Sequence, residues 1–266
     1  MAFEQAQTKP LDIADELKKL RERTTTELSM QYNTFNALIL GESGVGKTSL
    51  LETARKPVLI HSFDPGGSKL RNFLPLIKDG SVIVDSQFEV EDMKKPSAYM
   101  AWENEFEKLK RDNIFSGVGT YVIDSFTTWI SSLKNEIAKR KGRSESILQI
   151  QDWQVIGNIV VDTMKLCTAL PCDFILNGHL TLEKDEVSGR HIARFKTIPS
   201  LRIDIPLLFD EIYVMLAEGT RDGVERRLLT QPDGKYLART RIGARLFDVY
   251  EEADISLLLK KAGMVE

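Results

Sequence analysis

The stretch Gly41-Glu42-Ser43-Gly44-Val45-Gly46-Lys47-Thr48 decides the fold. It meets the pattern G-x-x-x-x-G-K-[ST] in full, and its flanks suit that pattern. Ala37-Leu38-Ile39-Leu40 before it reads as a short buried strand, and Thr48 to Lys56 after it reads as a helix that Pro57 stops. Glycines at these positions let successive backbone N–H groups wrap a phosphate, while the helix presents its N-terminus to the same anion. On this reading Gly41, Glu42, Ser43, Gly44, Val45, Gly46, Lys47, Thr48 and Ser49 cradle a nucleotide. Lys47 neutralises the β and γ oxygens, and the Thr48 hydroxyl ligates Mg²⁺. The competing reading, a chance glycine-rich turn, does not account for the strand and helix on either side.

On either side of this segment, apolar runs alternate with helical periods. Val58-Leu59-Ile60 and Val82-Ile83-Val84 read as strands, the first ending in the turn Ser62-Phe63-Asp64-Pro65-Gly66-Gly67. Tyr99, Trp102, Phe106 and Leu109 recur at three and four residues, the spacing of a buried helix face rather than of a base-stacking platform. Tyr121-Val122-Ile123-Asp124 is a strand ending in a carboxylate, and Phe126, Ile130, Leu133 and Ile137 continue it as an amphipathic helix. A polar break from Lys139 to Gln151 precedes a helix from about Trp153 to Ala169, and Phe174-Ile175-Leu176 forms the next strand, ending at Asn177-Gly178-His179. The polar stretch from Leu180 to Arg202 reads as a long loop. Strands are expected at 209–216, 225–230 and 236–240, the last two joined as a hairpin through Pro232-Asp233-Gly234, with a closing helix from Glu251 to Ala262 that Gly263 ends.

Two carboxylates stand where such a sheet places ligands. Asp124 closes a buried strand at its carboxyl end, the position of a partner for the Mg²⁺ shell; the plainer alternative is a cap for the helix that follows. Asp64 ends the strand after the phosphate loop, where it could polarise an attacking water, or could simply start the turn before Pro65.

Bulk composition sets the frame around these motifs. With 266 residues and 42% hydrophobic side chains, one large domain is expected, residues 33–266, preceded by a helical arm over residues 1–32 with Leu11, Ile13, Leu17, Leu20 and Leu28 near helical spacing. The arm could pack on its own domain or on a neighbouring protomer. A net charge of -3 leaves any polyanion site to local clusters of Lys and Arg. Cys167 and Cys172 cannot build a disulfide framework, and the three histidines show no zinc spacing. The start, Met1 to Pro10, has no apolar core of a signal peptide, and no run approaches the roughly 18 apolar residues of a membrane span. A cytoplasmic protein with no membrane partner is expected.

The order of these parts resembles the RecA superfamily of P-loop ATPases, including the core-only phage recombinases that anneal single strands; the resemblance covers roughly residues 33 to 245. It implies an α/β RecA-like core, a mainly parallel sheet flanked by helices with an antiparallel C-terminal hairpin, using ATP and Mg²⁺. It also implies ATP hydrolysis coupled to single-stranded DNA binding, homo-oligomeric assembly in rings or filaments, and a possible single-stranded DNA-binding protein as partner. A phage-encoded member would work in the cytoplasm of a bacterial host. By the same resemblance Lys47, Asp64, Asp124 and His179 are the catalytic set. Asp64 stands where the family usually has Glu, and His179 stands at the place of a polar switch residue that senses the γ-phosphate. The alternative for His179 is a histidine satisfied at a strand end.

In family order the DNA-binding segments are 139–151 and 180–202. The first holds Lys139, Arg140, Lys141 and Arg143, and the second Lys184, Arg190, His191, Arg194 and Lys196, with Phe195 between cations as a base-stacking candidate. Solvated helix and loop faces are the plainer alternative. Arg239 and Arg241 are candidates for reaching an adjacent protomer's nucleotide, against the alternative of exposed strand charges. Phe3-Glu4-Gln5-Ala6 has the Phe-x-x-Ala form of the recombinase oligomerisation motif, at a frequency chance also supplies. Two rival functions stay open: an ATP-switched assembly module without a DNA role, and a P-loop kinase or motor.

Overall fold

A computed structural model describes residues 13–31, 33–67, 69–142, 148–184, 186, 189–221 and 223–265. The chain divides into two units, Met1–Thr34 and Phe35–Glu266. In the first, α1 spans Ile13–Gln31. Ile13, Leu17 and Leu20 fall at helical spacing there, while Leu11 lies outside the described residues.

The second unit is built on a sheet whose strands are β1 (Asn36–Gly41), β2 (Val58–Ser62), β3 (Val82–Asp85), β4 (Thr120–Asp124), β5 (Asp173–Lys184), β6 (His191–Phe195), β7 (Glu211–Thr220), β8 (Gly223–Leu229) and β9 (Tyr250–Glu252). The spatial order is β3-β2-β4-β5-β1-β7-β8-β9, with β6 paired to β5 off that path. Strands β3 to β7 along this order are parallel, and β8 and β9 continue antiparallel. The helices are α2 (Lys47–Leu50), α3 (Phe73–Lys78), α4 (Ala98–Arg111), α5 (Phe126–Arg140), α6 (Ile150–Thr168), α7 (Leu201–Leu208) and α8 (Ile255–Lys261). No described helix is long and apolar enough to cross a membrane.

Both sheet faces are covered, which is why the central strands carry continuous apolar runs such as Ala37-Leu38-Ile39-Leu40 and Tyr121-Val122-Ile123 rather than alternating ones. Leu38, Leu40, Tyr121, Ile123, Phe174 and Leu176 pack one way, against Trp102, Trp129, Ile130, Ile156, Val160 and Ile205 of α4 to α7. Ala37, Ile39, Ile60, Val122, Ile175 and Tyr213 pack the other way, against Leu50, Leu51, Phe73 and Leu258. Tyr99, Trp102 and Phe106 are buried, as their spacing requires, and Trp102 and Trp129 meet edge to face at 5.3 Å.

Several expectations are corrected. The helix after the phosphate loop is short: α2 gives way at Leu51–Thr53 to a 3-10 turn. The segment after Leu180 is not a loop, because β5 runs on to Lys184 and pairs with β6, Leu180 opposite Phe195 and Lys184 opposite His191. The C-terminal hairpin joins β7 to β8, not 225–230 to 236–240. The Pro232-Asp233-Gly234 turn does form, with Asp233 Oδ1 accepting the N–H groups of Lys235 and Tyr236. The residues after it make only an isolated bridge, Arg239 to Ile212.

Candidate active site

Parallel strands end on the same edge, so sequence order becomes spatial proximity. Ser62 at the end of β2 lies opposite Asp124 at the end of β4, Asp124 lies opposite Asn177 of β5, and His179 lies opposite Gly41 at the end of β1. The phosphate loop, both carboxylates and the histidine therefore share one edge.

Within the loop, Gly44 and Gly46 take φ of 80° and 106°, a left-handed backbone that a side chain would strain. Lys47 is buried, and its ammonium donates to the carbonyls of Gly41 at 3.1 Å and Glu42 at 2.8 Å. Burial lowers its pKa, and the charges of Asp124 and Asp64 oppose that shift. Thr48 Oγ1 donates to Asp124 Oδ2 at 2.6 Å. Burial raises the pKa of Asp124, the Thr48 hydroxyl pulls it down, and the Asp64 charge adds to the rise. Asp124 is not the cap of α5, which begins at Phe126 with Ser125 at its N-cap position.

Asp64 is fixed through one oxygen. Ser125 Oγ donates to Oδ1 at 2.8 Å, and the Thr128 hydroxyl donates to the same atom. Glu89, which no sequence pattern singles out, staples the turn around Asp64 by accepting Ser62 Oγ–H at 2.7 Å and the Gly66 N–H at 2.9 Å. His179 sits with Nδ1 3.3 Å from Thr127 Oγ1. Burial, then the Lys47 charge, lower its pKa, Asp64 opposes them, and Lys196 adds to the fall. Asn177 is fully buried beside Asp124, and its side-chain amide, close enough to act on that carboxylate, helps hold the Asp124 pKa down. It is the second residue at this edge that sequence reasoning missed.

A phosphate loop opening on a helical turn, with its threonine bonded to the aspartate that ends β4, two strands across the sheet from β1, is the deciding arrangement. The family model described as "AAA domain" matches residues 34–242. The chain belongs to this AAA domain family. Its fold is an α/β RecA-like P-loop NTPase core with a C-terminal antiparallel hairpin, and it is a P-loop ATPase domain of that superfamily. Among solved structures, the AAA domain is similar to a KaiC-like protein of Pyrococcus horikoshii OT3, at 13% identity over 78% of this chain and 82% of the other, with a TM-score of 0.40. It is also similar to the flagellar accessory protein FlaH of Methanocaldococcus jannaschii, at 12% identity over 81% of this chain and 83% of that one, with a TM-score of 0.44. No match is found among curated proteins.

The basic residues are placed differently. Lys139 and Arg140 end α5, about 21 Å along the helix axis from its start at the active edge. They serve a buried carboxylate: Arg140 Nε donates to Glu136 Oε1 at 2.9 Å and Lys139 lies 3.5 Å from Oε2, while Lys139 also donates to the Pro96 carbonyl at 2.9 Å. Lys141 is exposed, and Arg143 lies outside the described residues. On the β5–β6 hairpin, Arg194 Nε lies 3.4 Å from Glu183 Oε2, and Arg202 bonds both oxygens of that carboxylate at 3.0 and 2.7 Å. Lys184 and Arg190 lie near its tip and Lys196 at its base.

Phe195 cannot stack on bases, because it is buried against Phe126 with ring centroids 5.0 Å apart. It also fills the space beside Gly178, where a Cβ would come within 2.6 Å of its ring. Arg239 donates to the carbonyls of Pro206 at 2.8 Å and Phe209 at 2.5 Å, which ties it to its own chain instead of an adjacent nucleotide. Arg241 pairs with Asp210 at 2.8 Å. The Phe3-Glu4-Gln5-Ala6 segment lies outside the described residues.

Proposed function

We propose that this AAA domain is a MgATP-hydrolysing switch whose output is the β5–β6 hairpin. One observation carries the reading: β5 runs without a break from Asn177, opposite Asp124, through His179, opposite Gly41, into a hairpin reaching about 20 Å past the level of Asp124. A change at the phosphates has a rigid path outward.

The donor chemistry fits Mg²⁺, since Thr48 and Asp124 supply hard oxygens 2.6 Å apart. Those two residues would hold the ion, which when bound supplies charge neutralisation to the phosphate oxygens. Lys47 exchanges its loop carbonyls for β and γ oxygens of the substrate. Asp64, held at Oδ1 by Ser125 and Thr128, turns its second oxygen to the attacking water and accepts its proton. His179, opposite Gly41 at the end of β1 and within electrostatic reach of Lys47 and Asp64, registers the γ-phosphate and passes its displacement to the hairpin. Homo-oligomeric assembly is the output that needs least beyond these parts.

Single-stranded DNA is a second reading, supported by Lys184, Arg190 and Lys196 on that same hairpin and by exposed Lys141. A titration of single-stranded DNA with ATP, ADP or neither, at several salt concentrations, separates the two: nucleotide-dependent, salt-sensitive binding supports the second reading, and its absence alongside nucleotide-dependent self-association supports the first.

The chemistry is tested at Asp64. Asp64→Asn is expected to bind ATP as the parent does while phosphate release falls by about 100-fold. Unchanged hydrolysis in that variant removes Asp64 from the mechanism.

A further inference from the structure

The phosphate loop is held from outside by a side chain the motif does not contain. Arg226 of β8 donates its Nε–H to the Val45 carbonyl at 3.0 Å. It lies so close over the loop that a Cβ on Gly46 would stand 2.8 Å from Nε and 3.1 Å from Cδ. The φ of 106° is what requires glycine at 46, and the close contacts show how near the Arg226 side chain lies to the loop. The reach across is set by the sheet. Leu40 pairs with Val214 of β7, and Arg226 stands opposite Ala217, three residues further along the same strand and at the height of the loop.

The consequence follows from peptide geometry. The Val45 carbonyl and the Gly46 N–H belong to one planar, trans peptide group and point in opposite directions. A donor fixed on the carbonyl therefore aims the N–H the other way, and in a phosphate nest that N–H is one of the donors the anion meets. We propose that Arg226 is a positioning residue for the phosphate cradle. It locks the 45–46 peptide plane with its N–H turned to the phosphates, and so makes nucleotide affinity depend on the β7–β8 hairpin. This rests on the nucleotide-binding reading of the loop.

The test uses the full chain with MgATP and MgADP titrated by calorimetry, together with steady-state phosphate release, for the parent, Arg226→Ala and Arg226→Lys. Arg226→Ala is expected to weaken both nucleotides about 10-fold and to raise KM with kcat within about 2-fold. Arg226→Lys, which can still donate to the Val45 carbonyl, is expected to recover part of that loss. The thermal midpoint of each variant reports on folding. If folded Arg226→Ala binds both nucleotides like the parent, or if only kcat and the thermal midpoint fall while Kd per folded site is unchanged, the proposal is overturned. A lysine variant no better than the alanine also overturns it. Should Arg226→Ala fail to fold, the Kd of Arg226→Lys against the parent decides, a value between 2- and 10-fold weaker being expected and an equal one contradicting. Failure of the parent itself to bind MgATP would remove the nucleotide reading, whereas parent binding with an unaffected Arg226→Ala removes this inference alone.

Discussion

The carboxyl edge of the sheet and the basic end of α5 are each dense in charged side chains, yet the two are built to different ends. At the edge, Lys47, Asp64, Asp124 and His179 come from four separate strands or loops and converge, with the lysine bonded to backbone carbonyls and the aspartates to hydroxyls. At the end of α5, Lys139 and Arg140 come from one helical turn and are spent on Glu136, which is only 5% exposed. Convergence from distant segments, against a folding cost, marks chemistry; local pairing around a buried carboxylate marks support of the fold. A cluster of like charges in sequence does not by itself distinguish them.

The largest effect is expected at Lys47. Lys47→Ala is expected to cut ATP turnover by about 1000-fold, roughly 4 kcal/mol of transition-state stabilisation, in a steady-state phosphate-release assay. A variant keeping a tenth of parental turnover would show that the edge is not the reaction centre.

A second test addresses the buried layer beneath that edge. His61, one residue before Ser62, is buried with Nδ1 3.0 Å from the Tyr121 hydroxyl, which itself accepts from Trp102 Nε1 at 3.0 Å. Burial lowers its pKa from 6.5 to about 4. The unfolded chain then takes up a proton near pH 6.5 while the folded one does not until about 4, so stability is lost as pH falls through that window, by about 3 kcal/mol. Asp173, whose pKa burial raises to about 6, acts in the opposite sense, since its protonation stabilises the fold as pH drops below 6. Chemical denaturation of the parent and of His61→Asn across pH 4 to 7 separates the two, because only the parent carries the histidine's slope. Equal slopes would mean that His61 titrates normally.

The smallest effect is expected at the basic end of α5. Replacing Lys139 and Arg140 together by Ala should lower unfolding stability by about 1–2 kcal/mol, the size expected for partly exposed partners of a buried carboxylate. Any single-stranded DNA affinity of the folded fraction should stay within about 2-fold. A loss of DNA affinity without loss of stability would make this end of α5 a functional surface.

Much of the edge was legible because parallel topology converts chain order into position: once Gly41 to Thr48 fix β1, strands ending in Asp124 and Asn177-Gly178-His179 must deliver those residues nearby. The β5–β6 pairing was not, because Leu180 to Lys184 mixes apolar and charged residues over a half-exposed ribbon whose partner lies beyond a polar turn. Helix α7 escaped notice because it has eight residues with Pro206 inside. The turn signal at Pro232-Asp233-Gly234 was real, but a turn does not oblige its flanks to pair, and the strand that β7 needed was already supplied by β8. Glu89 and Arg226 act across 27 and 181 residues of chain, through contacts that leave no local pattern.

In the proposed switch, nucleotide state at the edge reaches the β5–β6 hairpin through His179. Amide hydrogen exchange of residues 180–196, compared between the MgADP state and a slowly hydrolysed MgATP analogue at saturation, tests it most directly. The account predicts different protection of this hairpin in the two states, and loss of that difference in His179→Ala with nucleotide still bound. Identical exchange in both nucleotide states would contradict it.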